Sequence, residues 1–166
     1  MAMKFKVADL NDAADGQLLV EMFIAYSGYA SELHEKGGKP DYEKDLAKRL
    51  RDHDARVFLV IDEESGEGAG FVIGFLRLSS HTLLNCLNLH DVSVSEKYRG
   101  RGIATEMMRF VEEYAREAGI GVLSLEVRGS NEVAKRLYRG CGFEGPEEIL
   151  PANTHGYMDK WLVDRG

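Results

Sequence analysis

The chain has 166 residues, of which 44% are hydrophobic and 30% charged, and its formal net charge is -7. This length and composition predict one soluble globular domain over residues 1–166 and argue against a disordered or membrane-spanning chain. The acidic excess disfavours nucleic-acid binding and favours a cationic partner.

The sequence contains no apolar run near the ~20 residues that cross a bilayer, and its first residues lack the apolar segment of a signal peptide. We therefore expect a cytoplasmic protein without membrane attachment. Cys86 and Cys141 are too few for a disulfide framework, and the histidines have no metal-ligand spacing. We expect no bound metal.

Apolar periodicity predicts six strands and four helices. One strand and two helices come first, a meander of three strands follows, and helices then alternate with the last two strands. In chain order the predicted strands cover residues 4–10, 55–64, 70–80, 84–94, 120–127 and 155–163. The predicted helices cover residues 11–28, 41–53, 103–119 and 131–143.

The last two helices have apolar faces at helical spacing. In the helix over residues 103–119 the predicted apolar face consists of Ile103, Met107, Phe110, Val111, Tyr114 and Ala118. In the helix over residues 131–143 it consists of Val133, Ala134, Leu137 and Tyr138.

A glycine-rich segment, RGRGIA, lies between a predicted strand and the helix that begins at Ile103. The first backbone N–H groups of a helix lack intrahelical partners and carry partial positive charge, so they favour an anion such as pyrophosphate. Gly100 and Gly102 allow close approach of the anion, and Arg99 and Arg101 add charge-assisted hydrogen bonds. The alternative is an ordinary tight turn with two exposed arginines.

Other nucleotide sites fit less well. No GxxxxGK[ST] segment occurs, which excludes a P-loop. A Rossmann site would use Gly100 and Gly102 with Glu126 as the ribose-binding acid, but the motif follows an antiparallel meander and too little chain remains for a second parallel half. An RNA-binding RGG segment is disfavoured because the surrounding sequence is strongly periodic.

The whole segment resembles the GNAT acyl-CoA N-acetyltransferases. RGRGIA matches their R/Q-x-x-G-x-G/A signature with Arg99, Gly102 and Ala104, and the resemblance extends from His90 to Phe143, including NEVAKRLYRGCGF. It implies an α/β fold whose central sheet is mixed, mostly antiparallel, splayed between its middle strands and flanked by about four helices.

The resemblance also implies acetyl-CoA as the co-substrate. The cradle, which we define as Arg99 to Thr105, would hold the pyrophosphate by main-chain N–H groups, and the strand before it would bind the pantetheine arm and polarise the thioester carbonyl. The implied contacts are Val92, Ser93, Val94, Arg99, Gly100, Arg101, Gly102, Ile103, Ala104, Thr105, Asn131 and Ala134. Helix capping alone would also explain Asn131.

Catalytic roles follow from the same resemblance. Tyr138 aligns with the tyrosine that protonates the coenzyme A thiolate in many GNAT enzymes, although core packing is an alternative. His90 stands where some members, including polyamine acetyltransferases, carry a glutamate near the acceptor amine, and a histidine accepts a proton near neutral pH. A structural histidine is the alternative. Asp91 is a second candidate base, and Asp91 and Glu126 are candidates for binding the amine.

We expect direct attack of the amine in a ternary complex, because Cys141, the nearby nucleophile candidate, is better explained as a small apolar residue. The expected acceptor is a primary amine of a small molecule. The alternatives are a protein N-terminus or lysine, and a non-catalytic acyl-CoA sensor or interaction domain. The closing strand leaves a sheet edge, from which we expect a homodimer.

Overall fold

The computed structural model describes residues 1–28, 40–149 and 154–164, and all ten predicted elements are present there. The strands are β1 (Met3–Val7), β2 (Arg56–Asp62), β3 (Gly68–Leu78), β4 (Asn85–Val94), β5 (Val122–Arg128) and β6 (His155–Trp161). The helices are α1 (Ala13–Ser27), α2 (Tyr42–Asp52), α3 (Ile103–Glu117) and α4 (Glu132–Gly140), with a 3-10 turn at Glu96–Tyr98. Among the helices of these described ranges, none combines the length and apolarity that a membrane crossing requires.

The six strands form one mixed sheet in the order β1-β2-β3-β4-β5-β6. β1 pairs antiparallel with β2, and β5 pairs antiparallel with β6. β4 pairs parallel with β5 from Cys86 opposite Val122 to Leu89 opposite Leu125. β4 itself continues to Val94, so this parallel pairing covers only its first part, as expected for a sheet splayed between its middle strands. The predicted fold class is confirmed.

The chain forms two compact units, and the first comprises residues 1–73 and 91–103. Its core includes Leu19 on α1, Phe58 on β2 and Phe71 on β3, each no more than 1% exposed. Asp15 anchors α1 to the start of the chain, because its buried carboxylate pairs with Lys6 and accepts the backbone N–H of Asp9, at 2.7 and 2.8 Å.

The second unit comprises residues 74–90 and 104–166. The largest buried side chains of its core are Leu87, Met107, Leu123, Leu125 and Met158. The hydroxyl of Ser124 is buried in this core and accepts a hydrogen bond from the Asn88 amide at 3.1 Å. The expectation of a single domain over residues 1–166 stays a prediction.

The predicted apolar face of α3 is only partly buried. Met108 and Ala115 are buried, whereas Ala118 is exposed, and Phe110 and Tyr114 are half-buried. α3 ends at Glu117, so Ala118 lies in the turn that closes the helix.

The predicted apolar face of α4 is also only partly buried. Val133 is 78% exposed, and the buried positions are Lys135 and Tyr138, which are three residues apart on one face. Lys135 occupies a buried position because its ammonium group forms an ion pair with the exposed Glu132. Such a side chain buries its methylene groups and keeps its charge near the surface.

The predicted homodimer depends on the outer edge of β6. Asp159 exchanges two backbone hydrogen bonds with Glu144, at 2.8 and 2.9 Å, so part of this edge is already paired within the chain. We expect a second copy to pair with the remaining edge, because unpaired strand groups favour association. Static light scattering should report twice the mass of the 18.5 kDa chain. A monomer at every concentration up to the millimolar range would refute this prediction.

Candidate functional site

The cradle joins β4 to α3 and contains two glycines in the left-handed region of backbone conformation. Gly100 has φ of 75° and Gly102 has φ of 78°, values that side-chain-bearing residues rarely adopt. A Cβ atom at either position would meet nothing within 4 Å in the described structure, so conformation rather than crowding requires glycine. Gly102 directly precedes Ile103, the first residue of α3. These features fit a pyrophosphate group.

The backbone before the cradle is tied to β3. Ser95 donates its backbone N–H to the carbonyl of Ala69 at 2.9 Å and its hydroxyl to the carbonyl of Gly68 at 3.0 Å. Arg99 turns its guanidinium back toward β4, where Nε donates to the carbonyl of Val94 at 3.1 Å. Arg99 is exposed to solvent at the start of the cradle.

Tyr98 lies directly before the cradle and was not among the predicted site residues. Its side chain is 2% exposed, and its hydroxyl lies 2.9 Å from a carboxylate oxygen of Asp62 and 3.1 Å from one of Glu67. Lys97 forms an ion pair with Glu67. We call these four residues the Tyr98 clasp. The sequence offered one signal for it, an aromatic residue immediately before the motif.

Both carboxylates of the Tyr98 clasp have a lowered pKa. The backbone N–H of Glu64 and then the Tyr98 hydroxyl lower the pKa of Asp62. The Lys97 ammonium and then the Tyr98 hydroxyl lower the pKa of Glu67. A lowered pKa keeps these groups ionised at neutral pH, so their stabilising contribution is lost only as the pH falls through the folded-state values.

Asp91 on β4 lies next to Tyr26 of α1, which was also not predicted as a site residue. Burial, then the Asp91 charge and its hydrogen bond with the phenol, raises the pKa of Tyr26 to about 12. The phenol therefore stays protonated and donates to Asp91. The Tyr26 ring packs edge-on against Phe71 at 5.6 Å. The Asp91 carboxylate is thus held at an aromatic surface within the first unit.

His90 and Glu126 belong to the second unit. His90 is exposed, and its ring packs edge-on against Phe75 with centroids 5.7 Å apart. Glu126 is exposed and lies in register with Tyr157 of β6, whose hydroxyl accepts from Arg77 at 2.9 Å. Both predicted residues are therefore accessible to solvent and to an acceptor molecule.

Tyr138 is 8% exposed and lies on the buried face of α4. Its ring contacts that of Phe143 with centroids 6.0 Å apart, and its carbonyl accepts the backbone N–H of Phe143 at 3.0 Å. The Tyr138 side chain is therefore mostly covered. This placement is compatible with both roles considered for it, core packing and proton donation.

Asn131 caps α4, which is the helix-capping role considered for it beside a contact to coenzyme A. Its side-chain oxygen accepts the backbone N–H of Ala134 at 3.1 Å. The cap uses the oxygen of the amide, while a contact to coenzyme A would use its NH₂ group.

Substitution of Asn131 separates these two roles. Asn131→Ala should lower the free energy of unfolding by about 1 kcal/mol, because the cap is lost. Asn131→Asp retains an oxygen for the cap and should keep most of the stability while losing the NH₂ donor. Denaturant unfolding measures the first effect and titration calorimetry with coenzyme A the second. Unchanged stability of Asn131→Ala would contradict the capping role.

Cys141 lies at the end of α4 and is half-buried. Its carbonyl accepts from Lys160 at 2.8 Å, and burial raises the pKa of its thiol. A raised pKa favours the thiol over the nucleophilic thiolate. This environment does not favour an acetyl-cysteine intermediate.

The structure distributes the predicted residues over both units. The first unit contains Asp91, Val92, Ser93, Val94, Arg99, Gly100, Arg101, Gly102 and Ile103. The second contains His90, Ala104, Thr105, Glu126, Asn131, Ala134 and Tyr138. Over the part of the chain that the structure describes, no three His, Cys, Asp or Glu side chains are grouped so that they could hold a metal ion.

Known proteins match most of this chain. The model of the acetyltransferase (GNAT) family matches residues 19–143. Streptothricin acetyltransferase of Streptomyces lavendulae is 35% identical over 92 residues, which are 55% of this chain and 46% of that protein. The chain thus matches about half the length of this curated relative.

Two solved structures extend the comparison. The structure of nourseothricin acetyltransferase has a TM-score of 0.53 and 29% identity, covering 68% of each chain. A chain of the NatC complex bound to Gag peptide and CoA has a TM-score of 0.75 at 16% identity, covering 98% of this chain and 100% of that one. The likeness to the NatC chain shows a shared fold.

Proposed function

This chain belongs to the GNAT family of acetyltransferases, whose co-substrate is acetyl-CoA, and we propose that it transfers the acetyl group to a primary amine of a small molecule. The family and the co-substrate expected from the sequence are confirmed. The acceptor and the role of each site residue are proposed.

The observation that carries this proposal is the backbone of the cradle. Gly100 and Gly102, two left-handed glycines separated by one residue, leave open space before α3, where main-chain N–H groups of the helix N-terminus favour the pyrophosphate of coenzyme A. Because this attraction is local and largely from the main chain, the net charge of -7 does not prevent it. Val92 to Val94 would bind the pantetheine arm and the thioester carbonyl by backbone groups.

The chemistry needs a neutral amine, a site for charge on the carbonyl oxygen and a proton for the departing thiolate. We assign His90 to accept the amine proton, directly or through water, and its exposure is compatible with that role. The neutral amine nitrogen then bonds to the thioester carbon, the carbon–sulfur bond breaks, and the nitrogen releases its second proton to solvent, from which the donor of the thiolate proton is reprotonated. We assign Tyr138 to donate the proton that converts the thiolate into the thiol, since a phenol stays protonated at neutral pH.

Two features favour a small cationic amine as the acceptor. The relatives named for streptothricin and nourseothricin acetylation support a small-molecule acceptor. Asp91 and Glu126, the candidates for binding the acceptor, have carboxylate side chains. A carboxylate attracts the ammonium form of the amine before the ammonium group loses its proton. Asp91 also accepts a hydrogen bond from the Tyr26 phenol, which holds the carboxylate in place.

Release of coenzyme A thiol across a panel of amines tests this proposal. The panel contains streptothricin, spermidine, free lysine and peptides with a free N-terminus or an internal lysine. We expect turnover with at least one small amine and faster thiol release than in the enzyme-free control. Turnover of peptides alone would favour the protein-acetylating alternative. Coenzyme A binding without turnover of any amine would favour a sensor domain.

A further inference from the structure

The residue before the cradle differs in burial from those that follow it. Tyr98 is 2% exposed, whereas Arg99, Gly100, Arg101 and Gly102 are all exposed. The buried side chain of Tyr98 thus lies directly before a solvent-exposed loop. Its hydroxyl is buried with it and lies within hydrogen-bond distance of two carboxylates, Asp62 at 2.9 Å and Glu67 at 3.1 Å.

Both carboxylates belong to the hairpin formed by β2 and β3. Asp62 is the last residue of β2 and also accepts the backbone N–H of Glu64 at 3.0 Å, so the hairpin itself fixes this carboxylate. Glu67 lies directly before β3 and pairs with Lys97. The hairpin therefore offers the Tyr98 hydroxyl two carboxylate acceptors.

The opposite end of the 3-10 turn is held by the same hairpin. Ser95 donates to the carbonyls of Gly68 and Ala69, at 3.0 and 2.9 Å, at the start of β3. The turn Glu96–Tyr98 is consequently tied at both its ends before the chain enters the cradle. Beyond it, the Arg101 guanidinium lies 5.9 Å from the centroid of the Tyr98 ring.

A loop with two glycines would otherwise sample many backbone conformations, and ordering them on binding costs free energy. We propose that Tyr98 is a positioning residue for coenzyme A: its hydroxyl, held by Asp62 and Glu67, fixes the turn from which the pyrophosphate cradle projects. This inference rests on the proposed function, because it assumes that the cradle binds coenzyme A. Tyr98 acts through the backbone of the cradle and does not touch the reacting atoms.

The test compares two ligands on the Tyr98→Phe variant, which retains the buried ring and loses the hydroxyl. Titration calorimetry with coenzyme A should show a Kd about tenfold higher than in the wild type, equivalent to about 1.4 kcal/mol. Pantetheine, which lacks the pyrophosphate, should bind both proteins equally when measured by ligand-detected NMR. The matched control is Tyr157→Phe, which removes a hydroxyl that accepts from Arg77 and should leave both affinities unchanged.

Glu67→Gln provides a second variant that should fold readily, because the Glu67 side chain is 55% exposed. It weakens one acceptor of the Tyr98 clasp and should raise the Kd for coenzyme A about threefold, again without effect on pantetheine.

Equal affinity of wild type and Tyr98→Phe for coenzyme A would overturn this inference alone. An equal loss for coenzyme A and pantetheine would also overturn it, because that result indicates general destabilisation. Failure of the wild type to bind coenzyme A would overturn the proposed function as well.

Discussion

The Gly102→Glu variant should fold and lose at least 100-fold in affinity for acetyl-CoA. The substitution places a side chain and a negative charge in the open space over the cradle, where the proposed ligand carries the negative charge of a pyrophosphate. Like charges brought together in a binding site cost several kcal/mol, which corresponds to more than a hundredfold in Kd. Titration calorimetry measures the loss.

A matched control separates this effect from backbone strain. Gly119 has φ of 71° and, like Gly102, has no atom within 4 Å of a Cβ position in the described structure. Gly119→Glu imposes the same left-handed strain, about 1–2 kcal/mol, at the end of α3 rather than in the cradle. Both variants should lose similar thermal stability, but Gly119→Glu should bind acetyl-CoA normally. Unchanged affinity in a folded Gly102→Glu protein would remove the cradle from the site.

The Tyr138→Phe variant should lower kcat by about 10²- to 10⁴-fold, the usual contribution of a positioned general acid, while its affinity for acetyl-CoA stays nearly unchanged. Phenylalanine keeps the ring that packs against Phe143, so the substitution removes chiefly the hydroxyl. The proposed coenzyme contacts in the cradle and at Val92 to Val94 use main-chain groups that this change leaves in place. The substitution should therefore lower kcat while the Kd for acetyl-CoA stays nearly unchanged.

Steady-state kinetics at saturating amine, with a coenzyme A binding isotherm for each protein, decides the role of Tyr138. Tyr114→Phe is the control, because Tyr114 is a half-buried tyrosine on α3 with no proposed part in catalysis. Its kcat should equal that of the wild type. Equal kcat in wild type and Tyr138→Phe would assign Tyr138 to core packing alone.

Local sequence patterns were sufficient to predict the order of the elements and the position of the cradle. Helical and strand periodicities depend on neighbouring residues, and all ten predicted elements are present. Two glycines between a strand and an amphipathic helix predicted a special backbone, and both adopt positive φ. The same patterns were less successful for buried faces. They selected Val133 on α4, whereas the tertiary structure buries Lys135 instead.

The partners of site residues were decided only by the tertiary structure. Tyr98 meets Asp62 and Glu67 across 36 and 31 positions of the chain, and Asp91 meets Tyr26 of α1. Such pairs depend on strand register, because a shift of one residue would turn every side chain of a strand to the opposite face. The sequence alone therefore determined the family, the elements and the position of the two left-handed glycines, since these follow from residues close together in the chain. Only the folded chain determined which distant side chains meet Tyr98 directly before the cradle, since their meeting requires β2, β3 and β4 to be assembled.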